Sequence, residues 1–541
     1  MLAGLTVAAM LVPQSMAYAA LAGMPPVTGL YASTVPLVAY AFLGTSGQLA
    51  FGPVAIVSLL TASTLAPLAE GDPGRYVALA AMLAVLVGLI QIALAILRAG
   101  RLTTLLSHPV VSGFTSAAAI VIATSQLDKL FGVSIERPDG WLERIGAIAS
   151  EVGATHLPTL AIGVLAIAAL LLGRRLGPKV PTALLVVVLT TAAVPALGLA
   201  DAGVAILGDV PSGLPAPSLP AAPLETIPAL LPGALIIALL SYLEGISVAR
   251  AVAARTRDRI DPDQELLASG AANLAAGLFQ AFPVAGGFSR TAVNHTAGAR
   301  TPLASLVTAG GVLLALLVLA PLFTTLPEVV LAAVVLSAVV RLVDVREAVH
   351  AWRIERTDGF ALTVTFLATL LLGVELGIGV GIATSFILSL WRLGDAVIEI
   401  TEAPGGAVVH VDGVLLPASA VRLIDTVEEY LADQADQADQ ADQGEGRWLV
   451  LDLGGVPSAD TSGVSALATI VSLARSAGLE VHLTGIRPRV RGSLERAHLD
   501  VGSIRASGAR LDASGEVKEA TSDPPAPEAA RDRALGPTAA R

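Results

Sequence analysis

The first 392 residues are built from apolar runs of roughly 20 residues, each closed by a short loop of Gly, Pro or Arg. Nothing else in the chain limits its fold so tightly. A helix needs about 20 such residues to cross about 30 Å of hydrocarbon. Only helices or closed barrels satisfy their backbone there. The chain therefore reads as a polytopic α-helical membrane protein. Its 14% charged residues contrast with about 25% in soluble domains, and 54% hydrophobic residues exclude a disordered chain. With no cysteine, disulfide frameworks, thiolate metal sites and cysteine nucleophiles are excluded. No cofactor is expected, and no nucleic-acid partner. An enzyme is the least expected class: there is no nucleotide motif and no metal cluster, and no Ser/His/Asp arrangement has an extramembrane setting.

The runs give fourteen candidate spans, at about 2–22, 27–43, 51–68, 76–97, 109–127, 158–173, 181–199, 228–248, 266–282, 287–297, 302–323, 327–340, 359–373 and 375–391. An even number leaves both ends on one side. Placed in the cytoplasm, that side collects 15 Lys and Arg against 4 outside, with Arg290 set apart as intramembrane. The outer four are Arg75, Lys129, Arg137 and Arg144; the inner set includes Arg98, Arg101, Arg174, Arg175, Lys179, Arg346 and Arg353. The expected location is the inner (plasma) membrane, with both termini cytoplasmic. No basic residue precedes the first run, which contains Pro13 and Gln14, so it reads as a kinked helix rather than a signal peptide. Met1 is then either a late start or a trimmed one.

Two spans break the pattern in matching places. Span 3 enters as GQLAFGPVAIVS (Gly47–Ser58) and span 10 as FPVAGGFSRTAVNHTAGA (Phe282–Ala299). If the fourteen divide seven plus seven, as inverted repeats over about 1–200 and 225–392, each is the third of its half, the arrangement that marks inverted-repeat transporters. A helix starting inside the membrane leaves N–H groups unpaired and its positive end exposed. Two such ends facing each other make an anion site. Ser289, Thr291 and the Arg290 cation add to it, and Gly52, Val54 and Ala55 lie at the other break. Span 8 carries one acid, Glu244. An intramembrane acid faces a cavity, a counter-ion such as Arg290, or a proton path, and can alternate between protonated and charged forms. Gln14 and Tyr18, four apart, share a helix face and either line the cavity or join helices. His108 reads as structural, Glu328 and Glu375 as solvated span ends, and His295 as indeterminate.

These residues resemble a known family. AAMLVPQSMAYAALAGMPPVTGLYAS, GTSGQLAFGPVAIVSLL, LSHPVVSGFTSAAAIVI and FPVAGGFSRTAVNHTAGARTPLA are similar to segments of the sulfate permease (SulP) anion transporters. The resemblance implies a fourteen-span inverted-repeat fold shared with nucleobase transporters, with a mobile core of spans 1–4 and 8–11 moving against a gate. It implies an anion held between the half-helices, which marks Gln14, Tyr18, Val54, Phe288, Ser289, Arg290 and Thr291. It places Glu244 where bacterial relatives carry a coupling acid, and suggests a homodimer. Family substrates include sulfate, bicarbonate, chloride and dicarboxylates. A doubly charged oxyanion asks for more positive potential than one Arg and two helix ends supply, unless a proton travels with it. Proton-coupled sulfate symport by alternating access is therefore the preferred expectation, with H+ or Na+ the only co-transported ion considered. Bicarbonate or a C4-dicarboxylate are other substrates. The alternatives are a sodium-coupled bicarbonate symporter, a passive channel or exchanger, and a membrane-tethered regulator.

Residues 393–510 change to the pattern of a small α/β domain, in the order strand, strand, helix, strand, helix, strand, helix. LDLGGVPSADTSGVSAL resembles the STAS domain found at SulP C-termini, and Ser462 matches a serine that is phosphorylated in such domains. A protein partner acting through this domain is a further expectation. Thr461 and Ser462 also satisfy a plain helix-capping pattern. The repeat ADQADQADQADQ (Ala432–Gln443) has no apolar face and reads as a loop insertion or a solvated helix extension. Residues 511–541 have the composition of a disordered tail.

Overall fold

Each of the fourteen apolar segments holds a helix in a computed structural model, which describes residues 1–100, 107–135, 140–173, 175, 181–393, 396–403, 405–438, 448–497, 510–511 and 517–518. The chain divides into two units, Met1–Phe386 and Ile387–Arg541. Arg101, Arg137, Arg174 and Lys179, part of the charge asymmetry, lie outside the described residues, as does most of 511–541.

The first unit opens with α1 (Leu2–Leu21), which stays helical through Pro13. Span 2 is two helices, α2 (Pro26–Ala32) and α3 (Val35–Leu43), parted at Ser33-Thr34 because Pro36 offers no N–H to the turn before it. A two-residue strand β1 (Phe51–Gly52) precedes α4 (Ala55–Leu65), and α5 (Pro73–Ile96) follows. Next come α6 (His108–Thr124), α7 (Leu127–Phe131), α8 (Trp141–Glu151), α9 (Leu157–Gly173) and α10 (Thr182–Leu197). The second half holds α11 (Ile227–Thr256), α12 (Pro262–Leu278), strand β2 (Ala285–Gly286), α13 (Phe288–Thr296), α14 (Leu303–Val318), α15 (Glu328–Val339), α16 (Val345–Ile354), α17 (Arg356–Leu371) and α18 (Val374–Leu393). Of these, α7, α8 and α16 answer to no predicted span.

Among the described residues, five helical stretches are long and apolar enough to cross a membrane unaided, or six if the α8–α9 pair, bent by 117°, is counted as one span. The shorter ones include α4, whose eleven residues reach about 16 Å. One buried core runs through the unit, with α12 against α5 and α3, and α1 against α14, α2 and α15. Helices α5 and α12 meet at glycines: a Cβ on Gly88 would lie 2.7 Å from the Gly270 carbonyl oxygen. Small residues permit such approach where no water drives association.

In the second unit, β3 (Val397–Ala403), β4 (Gly406–Asp412), β5 (Trp448–Gly455) and β6 (Glu480–Thr484) form one sheet in sequence order, the first pair antiparallel and the others parallel. Helices α19 (Pro417–Ala438), α20 (Thr461–Ser476) and α21 (Pro488–Arg496) alternate with the strands in the expected order. Val409, Leu451, Leu483, Leu423 and Ile470 lie in its core. Helix α19 continues into the ADQ repeat as far as Ala438, so the first part of that repeat is a helix extension; 439–443 lie outside the described residues. A short pair, β7 (Arg510–Leu511) with β8 (Val517–Lys518), follows.

Candidate functional site

The two interrupted segments meet. Strands β1 and β2 pair antiparallel, Phe51 opposite Gly286 and Gly52 opposite Ala285, and each leads within three residues into a helix, α4 or α13. Local sequence explains the break. Pro53 and Pro283 hold the preceding residues extended. Gly52 adopts φ +150°, a backbone state open mainly to glycine. Gly286 lies against α11: a Cβ there would fall 2.8 Å from the Gly245 Cα. Every residue from Gln48 to Leu60, and from Ala281 to Gly287, is buried.

Hydrogen bonds lock the crossing. The Gly287 N–H donates to the Ala50 carbonyl (3.0 Å), and the Ala50 N–H to Thr291 Oγ1 (3.0 Å). The Thr291 hydroxyl in turn donates to the Gly287 carbonyl (2.8 Å), and Asn294 Nδ2 to the Gln48 carbonyl (2.9 Å). Thr291 was expected to offer its hydroxyl proton to an anion; in the structure that proton goes to the Gly287 carbonyl of its own segment, and the hydroxyl oxygen, by accepting the Ala50 N–H, fastens α13 to the other segment.

Two further anchors escaped the sequence reading. Glu265 on α12 is buried and accepts from the Tyr40 hydroxyl (2.7 Å), the Thr45 N–H (2.6 Å), the Thr45 hydroxyl (2.6 Å) and the Ser46 N–H (3.0 Å). The Tyr40 ring stacks on Phe51 of β1, centroids 4.8 Å apart. Asn273 does the same for β2, accepting from the Val284 N–H (2.8 Å) and donating to its carbonyl (3.2 Å) and to Gln91 Oε1 (3.0 Å). The apolar run expected as span 9 starts at residue 266, which leaves Glu265 just outside it. Four donors on one carboxylate have no one-dimensional signature.

The helix ends that emerge are uncapped. Val54 precedes α4 and Gly287 precedes α13, and neither supplies a side-chain acceptor to the first turn. Arg290, 2% exposed, donates from Nη1 to the Pro53 carbonyl (2.6 Å), while its Nε and Nη2 find no acceptor in the protein. Its guanidinium thus ties α13 to the start of α4 and keeps donors in reserve. Gln14 and Tyr18 sit on α1, which packs against both α4 and α13. Both are buried, Gln14 Nε2 donates to the Tyr18 hydroxyl (3.0 Å), and Gln14 Oε1 has no donor. Glu244 on α11 lies beside Gly245 at the crossing, with Oε2 unpartnered. It makes no ion pair with Arg290, although Glu244, Arg290 and Tyr18 are within electrostatic reach of one another. Gln14, Tyr18, Gly52, Val54, Ala55, Glu244, Arg290 and Thr291 are therefore gathered about one crossing. Phe288 and Ser289, on the first turn of α13, are exposed.

Other candidates resolve differently. Glu375 is not a solvated span end: Thr64 and Ser63 hydroxyls of α4 donate to it at 2.5 and 3.4 Å. His108, itself exposed, approaches Glu347 with its Nδ1 at 3.1 Å. Asp460, not Thr461 or Ser462, caps α20, accepting the Gly463 N–H at 2.8 Å. Thr461 and Ser462 instead lie among the residues lining a groove between α19 and α20.

Two uncapped helix starts crossing beside a buried arginine, followed by a separate α/β unit, define a membrane transporter of the half-helix type. Sequence comparison agrees. The pattern of the Sulfate permease family matches residues 1–365 and that of the STAS domain residues 397–506. The chain belongs to the sulfate permease family. It is 36% identical, over 92% of its length and 91% of the relative's, to a Mycobacterium tuberculosis protein named "Probable sulfate transporter". It is 33% identical to sulfate transporter 4.1, chloroplastic, of Arabidopsis thaliana (92% of this chain, 76% of the relative), and 32% to the sodium-independent sulfate anion transporter of Bos taurus (92% and 85%). Murine solute carrier 26 family member A9 shares the fold, with TM-score 0.84 at 24% identity over 94% of this chain and 89% of that one. The transmembrane domain of the cyanobacterial bicarbonate transporter BicA superposes at TM-score 0.60 and 24% identity, over 71% of this chain and 96% of its own.

Proposed function

We propose that this protein is a secondary transporter of small anions, sulfate first among them, and that the anion binds where α4 and α13 start, against Arg290. The observation that carries this reading is the β1–β2 crossing, which sets two uncapped helix ends beside a buried guanidinium with unused donors. Helix N-termini favour anions through unpaired N–H groups and the aligned peptide dipoles. Gln14 and Tyr18 complete the wall from α1. Relatives from a bacterium, a plant and a mammal, all named as sulfate transporters, favour sulfate over bicarbonate or a dicarboxylate.

Coupling falls to Glu244. While charged, it opposes the positive field of Arg290 and weakens the site; a proton on Glu244 removes that opposition, so proton and anion enter together. Alternating access then carries both across through fourteen spans arranged as inverted repeats, in a homodimer with cytoplasmic termini in the plasma membrane. The bovine relative's name, sodium-independent, speaks against sodium as the coupling ion. The STAS unit is regulatory in this reading, with Ser462 as phosphate acceptor, since Asp460 leaves its hydroxyl uncommitted to the cap.

The test is uptake of radiolabelled sulfate, bicarbonate and succinate into proteoliposomes, with and without an inward proton gradient, in sodium-containing and sodium-free buffer. Gradient-driven sulfate accumulation that Glu244→Gln abolishes is expected. Accumulation that follows sodium instead would overturn the proton assignment, and equilibration insensitive to either gradient would leave passive exchange.

A further inference from the structure

Helix α16 is a short amphipathic element between the apolar helices α15 and α17, and apart from its last residue, the exposed Ile354, its surface falls into three sectors. At 100° per residue, Glu347, Ala348 and Ala351 face the protein, where α16 packs on α17 and α6. Trp352, Val345 and Val349 follow as an apolar strip, 47%, 67% and 45% exposed. Arg353, Arg346 and His350 come next as a cationic strip, also exposed. The acids at this place are turned away or engaged: Asp344 caps the helix through the Glu347 N–H (3.0 Å), Glu347 lies 3.1 Å from His108 Nδ1, and Glu355 accepts from Thr357 (3.1 Å). No carboxylate stands in the exposed sectors. Val345, Arg346, Val349, His350 and Arg353 border one open, shallow depression on this face.

A helix joining two apolar helices of a membrane protein lies at the water–hydrocarbon boundary. An apolar strip beside a basic one suits that boundary, the first entering the acyl edge and the second meeting headgroup phosphates. The Trp352 ring packs against Gly359 and its Nε1 donates to Thr363 Oγ1 (3.2 Å), which holds α16 on α17 while the residue stays 47% exposed. We infer that the exposed face of α16 is a docking surface for anionic phospholipid headgroups, with Arg346 and Arg353 as the phosphate-binding pair and the Val345–Val349–Trp352 strip set into the acyl edge. The occupant is a lipid rather than a free anion, because the apolar strip adjoins the cations. This inference needs only that the chain is embedded in a membrane; it stands or falls separately from anion transport.

The full-length protein is placed in nanodiscs of equal phosphatidylglycerol and phosphatidylcholine, and the lipids it retains on release are counted by native mass spectrometry. Retention of phosphatidylglycerol over phosphatidylcholine is expected. The Arg346→Gln/Arg353→Gln variant loses that preference by about fivefold per cation removed, roughly 25-fold in all, whereas Arg346→Lys/Arg353→Lys keeps most of it. Arg75→Gln, a remote cation paired with Glu70 at 2.8 Å, leaves it unchanged. If the double variant does not give a wild-type melting profile, Arg353→Gln alone is measured, with a fivefold loss expected. Any of four results overturns the inference: no preference in the wild type, full preference in the glutamine variants, displacement of the lipid by millimolar glycerol phosphate, or a changed oligomeric state with unchanged lipid retention, which would assign the face to a second copy of the chain.

Discussion

Arg290 does two jobs with one side chain. One nitrogen holds the α4 entry by the Pro53 carbonyl, and the other two stay available inside a buried junction. Arg290→Gln removes the charge and part of the fork, so initial uptake at subsaturating anion should fall about 30-fold or more, the equivalent of about 2 kcal/mol. Arg290→Lys keeps the charge but not the fork, and should raise KM more than it lowers the maximal rate. Glu265 works on scaffold rather than solute. Glu265→Ala leaves buried donors of Tyr40, Thr45 and Ser46 without their acceptor, and should destabilise the solubilised protein by about 3 kcal/mol, against about 1 kcal/mol for Tyr40→Phe. Thermal unfolding followed by fluorescence measures both. Arg290 and Glu244 could be read from the sequence because a charge inside an apolar run has few innocent explanations. Glu265 and Asn273 could not, since their meaning lies in which backbone groups from distant segments reach them.

At the scale of elements, the crossing depends on backbones that touch. Gly286 meets the Gly245 Cα so closely that Gly286→Ala must push β2 off α11, whereas a Cβ on Gly245 meets nothing nearer than 3.7 Å. Uptake should therefore be lost in Gly286→Ala and largely kept in Gly245→Ala, with both proteins quantified in the membrane to separate transport from expression. In the STAS unit, Asp460→Ala removes the side-chain acceptor at the start of α20 and should cost about 1 kcal/mol. Hydrogen exchange on the full chain should show it as faster exchange of the first-turn amides, the Gly463 N–H above all. Ser462→Ala should leave that exchange as it is. The capping pattern was legible at Asp460-Thr461-Ser462, but three adjacent capping residues look alike in sequence; the backbone path chose Asp460.

At the scale of the whole molecule, the family match and the fold agree on a membrane transporter followed by a STAS domain. By itself the sequence determined the solvent: apolar runs of bilayer length oblige the backbone to satisfy itself in helices. It also marked the two segments that depart from that rule, because Gly52-Pro53 in one and Pro283 with Gly286-Gly287 in the other cannot continue a helix cheaply. The tertiary structure decided what those departures are for. Only packing brought Phe51 opposite Gly286, set the Thr291 hydroxyl oxygen to accept the Ala50 N–H, and left Arg290 with donors to spare. Only packing turned Glu375 from a span end into the acceptor of Thr64. The physical reason is range. Hydropathy and backbone stiffness act over a few neighbouring residues and are written along the chain, whereas a hydrogen bond between positions 50 and 291 exists only once folding has brought them to 3.0 Å.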